Sequence, residues 1–599
     1  MEELKETTIH TSNDLLHSLN LPQDIKKLTI DQMNTLATEL VSTMVNLAKL
    51  RSMHVSSNLG VIHLTIALLY CFDPKEDQIV FDIGHQAYIY KMLTGRLDRM
   101  NTIKLYGGIN GFQSPVESVY DKWSAGHSGT SLSAAVGKYL GVAPANRNNH
   151  AVVDVIGDAS LANGLSLEAL DSDVALHAPM IIVLNDNNMS IAPNIGGLHD
   201  ALVALEKATD KKDNIFTELG YEYIGVVDGH DFKALIDALN SAKYIKETKN
   251  KSVIVHIKTK KGWGYKPDTD GSYHYCQLDV ENKPNLAITG PFIADQLLER
   301  SKVKQDFMIV SPSITDMLGL RNLQKAIPDY FVDMGMQEED AMTIAAGIAC
   351  MHNYRPILAT TSTFVLRTYD QVWHDIARQD LGVTLMLDGA DSNTSSGTSH
   401  SGLFDLGMFK SITNCIVTTG MTNLQNSKLI DLSIDVNPDQ LFAVRYAGFQ
   451  RIATAQTIND VNALPIQFKQ WQILKHDDND QLCFISYGPT YLSIYDNLKD
   501  YQHVSFINAM FITNYDEKWL RWLTSQHFKT IVVYERVNSV DALGTDIEQY
   551  FFENNINIKV IKMNFNGFLF QAPESLSDKM LHMDLDSIKQ TINANLDIL

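Results

Sequence analysis

Apolar residues at Met33, Leu36, Leu40, Met44 and Leu47 keep a spacing of three and four, which predicts an amphipathic helix with one buried stripe. Farther along the pattern changes. Ala151 to Ile156 is a short apolar run, Leu165 to Leu176 has helical spacing, and Pro179 to Leu184 is a second apolar run. That order predicts a β-α-β unit, and hence two parallel strands. The alternation returns at Phe307 to Val310, Tyr330 to Met336, Pro356 to Thr360, Val383 to Leu387 and Cys415 to Thr419. It returns again at Cys483 to Ser486, Val504 to Ile507, Thr530 to Tyr534 and Ile558 to Lys562. The expected fold class is therefore α/β, three consecutive domains with mainly parallel sheets. Polar, irregular joints are expected at Asp279 to Lys304 and at Ile458 to Asp480, the latter carrying HDDND. These place the domains at 1–290, 303–465 and 480–599.

Composition narrows the function. The chain has 599 residues, 45% hydrophobic and 20% charged, with 34 Gly and 16 Pro, as a folded globular protein of several domains has. Its 49 basic and 70 acidic side chains give a net charge of −21, the wrong sign for neutralising a phosphate backbone, so nucleic acid is not an expected partner. Five cysteines stand singly, with no C-x-x-C pair, and read as reduced thiols. The acidic start MEELKETTIHTSND has no signal-peptide character. The longest apolar stretch, Val61 to Phe72, falls short of the roughly 20 residues of a membrane helix. No membrane partner is expected, and the expected location is cytoplasmic.

The chemistry-bearing clusters sit at predicted strand ends. GDAS, Gly157 to Ser160, follows the first strand of the β-α-β unit, and NDNNMSI, Asn185 to Ile191, follows the second. Ligands of open α/β sheets bind outside the carboxyl ends of the strands. Oxygens of Asp158 and Asn187, with a backbone carbonyl near Met189, can therefore converge on one hard cation whose other positions go to phosphate and water. Equally, Asp158 can be a helix cap and the Asn-rich run only a turn.

The surrounding motifs add specificity. SMHVSSNLGVIHLTIALLYCF, FDIGHQAYIYKMLTGR, GGINGF, SAGHSGTSLSAAVG, LNDNNMSI, VDGHD, HIKTKKGWGY, AAGIA, STFVLRTYDQVWHDIA and GTSHSG, in this order, resemble the 1-deoxy-D-xylulose-5-phosphate synthase family of the transketolase superfamily. The resemblance covers almost the whole chain and weakens through the C-terminal domain. It implies a diphosphate-binding, a pyrimidine-binding and a C-terminal transketolase-like domain, thiamine diphosphate held through Mg2+ or another divalent cation, and a homodimer. The implied reaction decarboxylates pyruvate and joins the two-carbon unit to an aldehyde, glyceraldehyde 3-phosphate or an altered acceptor. Two alternatives are transketolase-type ketol transfer and a catalytically impaired relative that binds the cofactor.

The resemblance also assigns residues. Glu338, in QEEDAMTIAAG, takes the place of the carboxyl that hydrogen-bonds the aminopyrimidine, Asp340 stands where the family has histidine, and Glu339 is one residue off; an acidic run at a helix start has the dipole as its plain explanation. Phe364 is the implied platform for the pyrimidine, where an ordinary core Phe is the bland alternative. His54, His85 and His127 match histidines lining the diphosphate and the reacting carbons. Gly126, Ser128 and Ser131 offer it donors, and Ala159, Ser160, Met189, Ile191 and Arg367 complete the cofactor set. His400, Asp388 and Arg445 fall to the substrate, with His54. Departures cluster on the acceptor side. Gly389 and Ser396 replace an arginine and an aspartate, Thr361 a tyrosine, and Gly448 the second arginine of Arg-Tyr-Pro-Arg-Gly, while the segment between Gly197 and Gly220 is short. Cofactor activation is expected to be intact and acceptor recognition altered.

Overall fold

The structure is a computed structural model that describes residues 15–190, 193–268, 271, 273–278, 288–391 and 394–596. Its first unit comprises 1–103 and 108–281, and its second comprises 104–107 and 282–599.

The first unit is built on one parallel sheet of β1 (Gln78–Phe81), β2 (Val152–Gly157), β3 (Ile181–Asp186), β4 (Glu222–Asp228) and β5 (Val253–Lys258), in the order β1-β2-β3-β5-β4. Helices cover both faces, which is why β2 and β3 read as largely apolar runs rather than alternating ones, with Asp154 buried inside β2. Val153, Val155, Ile181 and Val183 pack with the helices Ile30–Leu50, Ile62–Cys71 and Phe232–Lys249. Val152, Ile156, Ile182 and Leu184 pack on the opposite face with Ser131–Gly141, Gly164–Leu176 and Gly197–Lys207. The five stripe positions from Met33 to Leu47 are all buried on Ile30–Leu50.

The second unit holds two sheets. One contains β6 (Phe307–Ser311), β7 (Phe331–Asp333), β8 (Arg355–Thr361), β9 (Thr384–Asp388), β10 (Cys415–Thr418) and β11 (Leu441–Arg445), all parallel in the order β10-β11-β9-β8-β6-β7. The other contains β12 (Gln472–Lys475), β13 (Leu482–Ser486), β14 (Val504–Asn508), β15 (Thr530–Asn538) and β16 (Lys559–Phe565), with only β12 antiparallel. Phe484, Phe506, Val532, Tyr534 and Met563 anchor its core.

Both expected joints need correction. The first contains the helix Thr289–Val303, whose Ile293, Ala294 and Leu297 are buried. The second contains the end of the helix Ala455–Ala463 and all of β12. The strand expected from Tyr330 to Met336 stops at Asp333. Among the described residues, no helix is long and apolar enough to cross a membrane.

Candidate active site

In the first unit, parallel register sets Gly157 beside Asn185, so the loops leaving β2 and β3 start level with each other. Asp158 opens a short helix and is buried. Its Oδ2 accepts from the Asn187 amide at 3.3 Å and its Oδ1 from the Ala159 amide at 3.0 Å, while Asn187 Oδ1 accepts from the Met189 amide at 3.2 Å. The Asp158 carboxyl thus meets the backbone of the Asn187 turn, one of the two segments from which the sequence expects cation ligands. Burial, reinforced by the neighbouring Asp186 carboxylate, holds the Asp158 carboxyl above its ordinary range, a cost that a divalent cation reverses. Among the described residues no three His, Cys, Asp or Glu side chains form a metal cluster on their own. Lys261 Nζ donates to the Ser190 carbonyl, and burial pushes this lysine down to about 8. Ile191 lies outside the described residues.

Beside this pair runs the loop from Gly126 to Ser131. Asp82, just past β1, is buried and accepts from the Gly129 amide at 3.0 Å and the Ser131 amide at 3.3 Å, which fixes the loop's curvature. Gly129 has φ +82°, and a Cβ there would meet Asn163 Oδ1 at 2.5 Å, so glycine is required. His127 and the buried Ser128 stand on this loop, and Ser160 is buried at the start of the helix after β2.

Histidines gather a few residues past Asp82 and within the field of Lys261. His54 lies 5.3 Å from His85 and 5.4 Å from His274, ring centre to ring centre, with its Nδ1 3.1 Å from Tyr88 Oη. Asn58 stitches the two chain segments, donating to the carbonyls of His54 at 2.7 Å and His85 at 2.8 Å. His274 arrives because Met53 and Cys276 pair as a two-residue bridge. Burial first, then His274 and Lys261, holds the His85 imidazole well below its ordinary range, and burial pushes His274 down to about 4. His85 Nδ1 is buried with no hydrogen-bond partner among the described residues, a donor or acceptor left for a ligand. His274, Asn58, Tyr88, Asp82 and Lys261 are absent from the set assigned by sequence. Only the motifs enclosing them mark their region.

In the second unit Glu338 opens the helix Glu338–Cys350 and is buried, whereas Glu339 is half-buried and Asp340 exposed. Burial raises the Glu338 carboxyl, against the pull of Arg367, whose Nη1 lies 3.5 Å from Glu338 Oε2. Phe364 begins the next segment, its amide donating to Thr361 Oγ1 at 3.2 Å and its ring 5.6 Å from that of His400. His400 Nδ1 sits 2.9 Å from Ser399 Oγ. Asp388 ends β9. Burial pushes its carboxyl up to about 6, and its Oδ1 accepts from the Gly389 amide at 2.7 Å. Arg445, which the resemblance gives to the substrate, is buried and pairs through Nε and Nη2 with both oxygens of the buried Asp405, each at 2.7 Å.

The family described as 1-deoxy-D-xylulose-5-phosphate synthase matches residues 16–213 and 206–259, and the transketolase pyrimidine-binding domain matches residues 296–447. The 1-deoxy-D-xylulose-5-phosphate synthase of Malacoplasma penetrans is 34% identical, covering 94% of this chain and 97% of its own. That of Aquifex aeolicus is 32% identical, covering 97% and 98%. A solved transketolase from Campylobacter jejuni aligns over 95% of this chain and 100% of its own at 15% identity and a TM-score of 0.42.

Proposed function

The chain belongs to the 1-deoxy-D-xylulose-5-phosphate synthase family, and on that premise we propose that Asp158, Asn187 and the Met189 carbonyl hold a divalent cation, Mg2+ or another, against a bound diphosphate. The protein is a thiamine diphosphate-dependent transferase that decarboxylates pyruvate and joins the two-carbon unit to an aldehyde. The support for the cation site is the 3.3 Å approach of Asp158 to the Asn187 amide at the ends of neighbouring strands, with hard oxygen donors on both.

Thiamine diphosphate, when bound, supplies an electron sink for the carbanion left as pyruvate loses carbon dioxide. The chain's residues bind, orient and move protons around it. Gly126, His127, Ser128 and Ser131, on the loop that Asp82 fixes, and Ala159 and Ser160, at the helix start after β2, would line the diphosphate. Glu338, its carboxyl raised by burial, would hydrogen-bond the aminopyrimidine, with Phe364 as the ring's platform and Arg367, 3.5 Å away, setting the carboxyl's position. His54, His85 and the added His274 of the first unit, and His400 of the second, would serve the substrate oxygens; burial keeps the His85 and His274 imidazoles neutral, as hydrogen-bond partners rather than cations.

The acceptor differs from a phosphorylated aldehyde gripped by arginine. Thr361, Gly389 and Gly448 lack the expected tyrosine and arginines, and the nearby cations are engaged within the chain. Arg445 pairs with Asp405, Lys410 with both oxygens of Asp546 at 2.7 Å, and Arg367 with Glu338. Three domains at 1–290, 303–465 and 480–599, a homodimer and a cytoplasmic location complete the reading, on the strength of the family alone. The test is carbon dioxide release from pyruvate with cofactor and Mg2+, with and without a panel of phosphorylated and plain aldehydes. Carboligated product with at least one aldehyde is expected, and no turnover with any of them overturns the reading.

A further inference from the structure

Two loops of the second unit carry three of the four altered acceptor positions: Gly389 and Ser396 on the one leaving β9, which runs to Gly402, and Gly448 on the one leaving β11, from Tyr446 to Arg451. The same structure ties both to the third sheet. Asp391 forms an ion pair with Arg536 Nε on β15, and Asp391 Oδ2 accepts from Thr490 Oγ1 at 2.5 Å, in the first turn of the helix Pro489–Leu498. Arg536 is buried, its Nη1 2.9 Å from Asp578 Oδ2, its Nη2 3.1 Å from Glu574 Oε1, and its Cζ 5.4 Å from the centre of the Phe565 ring. Arg451, on the second loop, grips the same Glu574 through Nη1 at 3.0 Å and Nη2 at 2.5 Å. Glu574 and Asp578 share the helix Glu574–Met580, so one helix and one strand receive both loops.

We propose that Asp391 and Arg451 are positioning residues, a double ion-pair clamp through which the third sheet sets the acceptor loops of the second. The clamp rests on the reading that these loops receive the aldehyde. Asp391 has φ +89°, a left-handed conformation that an aspartate keeps only where its surroundings hold it. The Asp-Arg-Ala-Gly pattern, set against Asp388 to Asp391, has glycine at that place; here the carboxylate occupies it and reaches Arg536. Next to it, Ala390 donates to the Tyr446 carbonyl at 3.1 Å, and Ala390 and Asp391 both bridge to Gly402. Displacing Asp391 therefore moves both loops together. A buried ion pair adds little net stability against its desolvation cost, but it strongly selects one geometry. Two acids remain around Arg536 when Asp391 loses its charge, so the fold persists.

The variants are Asp391→Asn, which keeps shape and tolerates the left-handed backbone, and Arg451→Gln. Hydrogen exchange of peptides spanning 389–404 and 446–451, measured without substrates, is expected to quicken at least tenfold in each variant. The aldehyde KM is expected to rise at least fivefold, while carbon dioxide release from pyruvate alone stays within twofold. Unchanged exchange in both loops overturns the clamp, as does an equal loss in both half-reactions with a lowered Tm. A wild-type protein that leaves pyruvate untouched overturns the parent reading instead, and the exchange data still decide the clamp.

Discussion

Arg367 sits between two glutamates of one helix turn, its Nη1 3.5 Å from Glu338 Oε2 and its Nε 3.9 Å from Glu339 Oε1. The two carboxylates are otherwise unequal, since Glu338 is buried and Glu339 half-buried. Only the buried one gains from meeting a ligand away from water.

Glu338→Gln is therefore expected to leave thiamine diphosphate affinity within about tenfold, while slowing exchange of the thiazolium proton by well over that factor, because its hydrogen bond strengthens as the pyrimidine is activated. Glu339→Gln is expected to change neither. Exchange followed by NMR after acid quench separates the two. A loss confined to Glu339→Gln would shift the assignment by one residue.

Asp158→Ala removes the one carboxylate among the proposed cation ligands. Wild-type Tm is expected to rise with thiamine diphosphate only when Mg2+ or another divalent cation is present, since ligand at a hundred times its Kd stabilises by about 2.7 kcal/mol. The variant is expected to show no such rise. A wild-type melting curve unmoved by millimolar cofactor and Mg2+ would remove the site.

Much of this was readable in order along the chain because the strands that carry the site are covered on both faces. β2, apart from the buried Asp154, and β3 thus appear as largely apolar runs, and GDAS and NDNNMSI fall directly at their ends. β4 escapes notice because every position along it is at least partly exposed and its residues are mixed. β12 is a sheet edge of four residues, two of them polar. His274 sits in a YHYCQ stretch with no turn chemistry, and only the pairing of Met53 with Cys276 brings it to His54. Arg445 shows the same limit. Its partner Asp405 lies forty positions away, and no local pattern says which carboxylate it will take.

Asp388 gives a pH signature. Burial raises its folded-state pKa to about 6 from 3.8, so its contribution to stability is full below about pH 4 and is lost as the pH rises through 6. A shift of this size corresponds to about 3 kcal/mol. Asp388→Asn keeps an oxygen for the Gly389 amide and does not ionise. Its Tm relative to wild type is expected to climb between pH 4 and pH 7. Parallel Tm curves for the two proteins would show that this carboxyl titrates normally.

The acceptor pocket offers the sharpest test, because the two lost arginines are not equally restorable. Gly389 has φ +68° with nothing within 4 Å of a built Cβ, so an arginine there has room but carries a left-handed backbone cost of roughly 1–2 kcal/mol. Gly448 lacks that conformation, and a side chain there begins 3.6 Å from Asp388 Oδ1, an ordinary contact beside a carboxylate that would orient a guanidinium. A charge-assisted contact contributes about 1.5–3 kcal/mol, a factor of roughly ten to a hundred in binding. Wild type is expected to use D-glyceraldehyde 3-phosphate no better than D-glyceraldehyde. Gly448→Arg is expected to raise kcat/KM for the phosphate at least tenfold with Tm nearly unchanged, and Gly389→Arg to raise it less, with a lower Tm. A wild-type enzyme that strongly prefers the phosphate would show that some cation other than Arg445, Lys410 or Arg367, each held by a carboxylate of its own chain, grips it, and the altered-acceptor reading would fall.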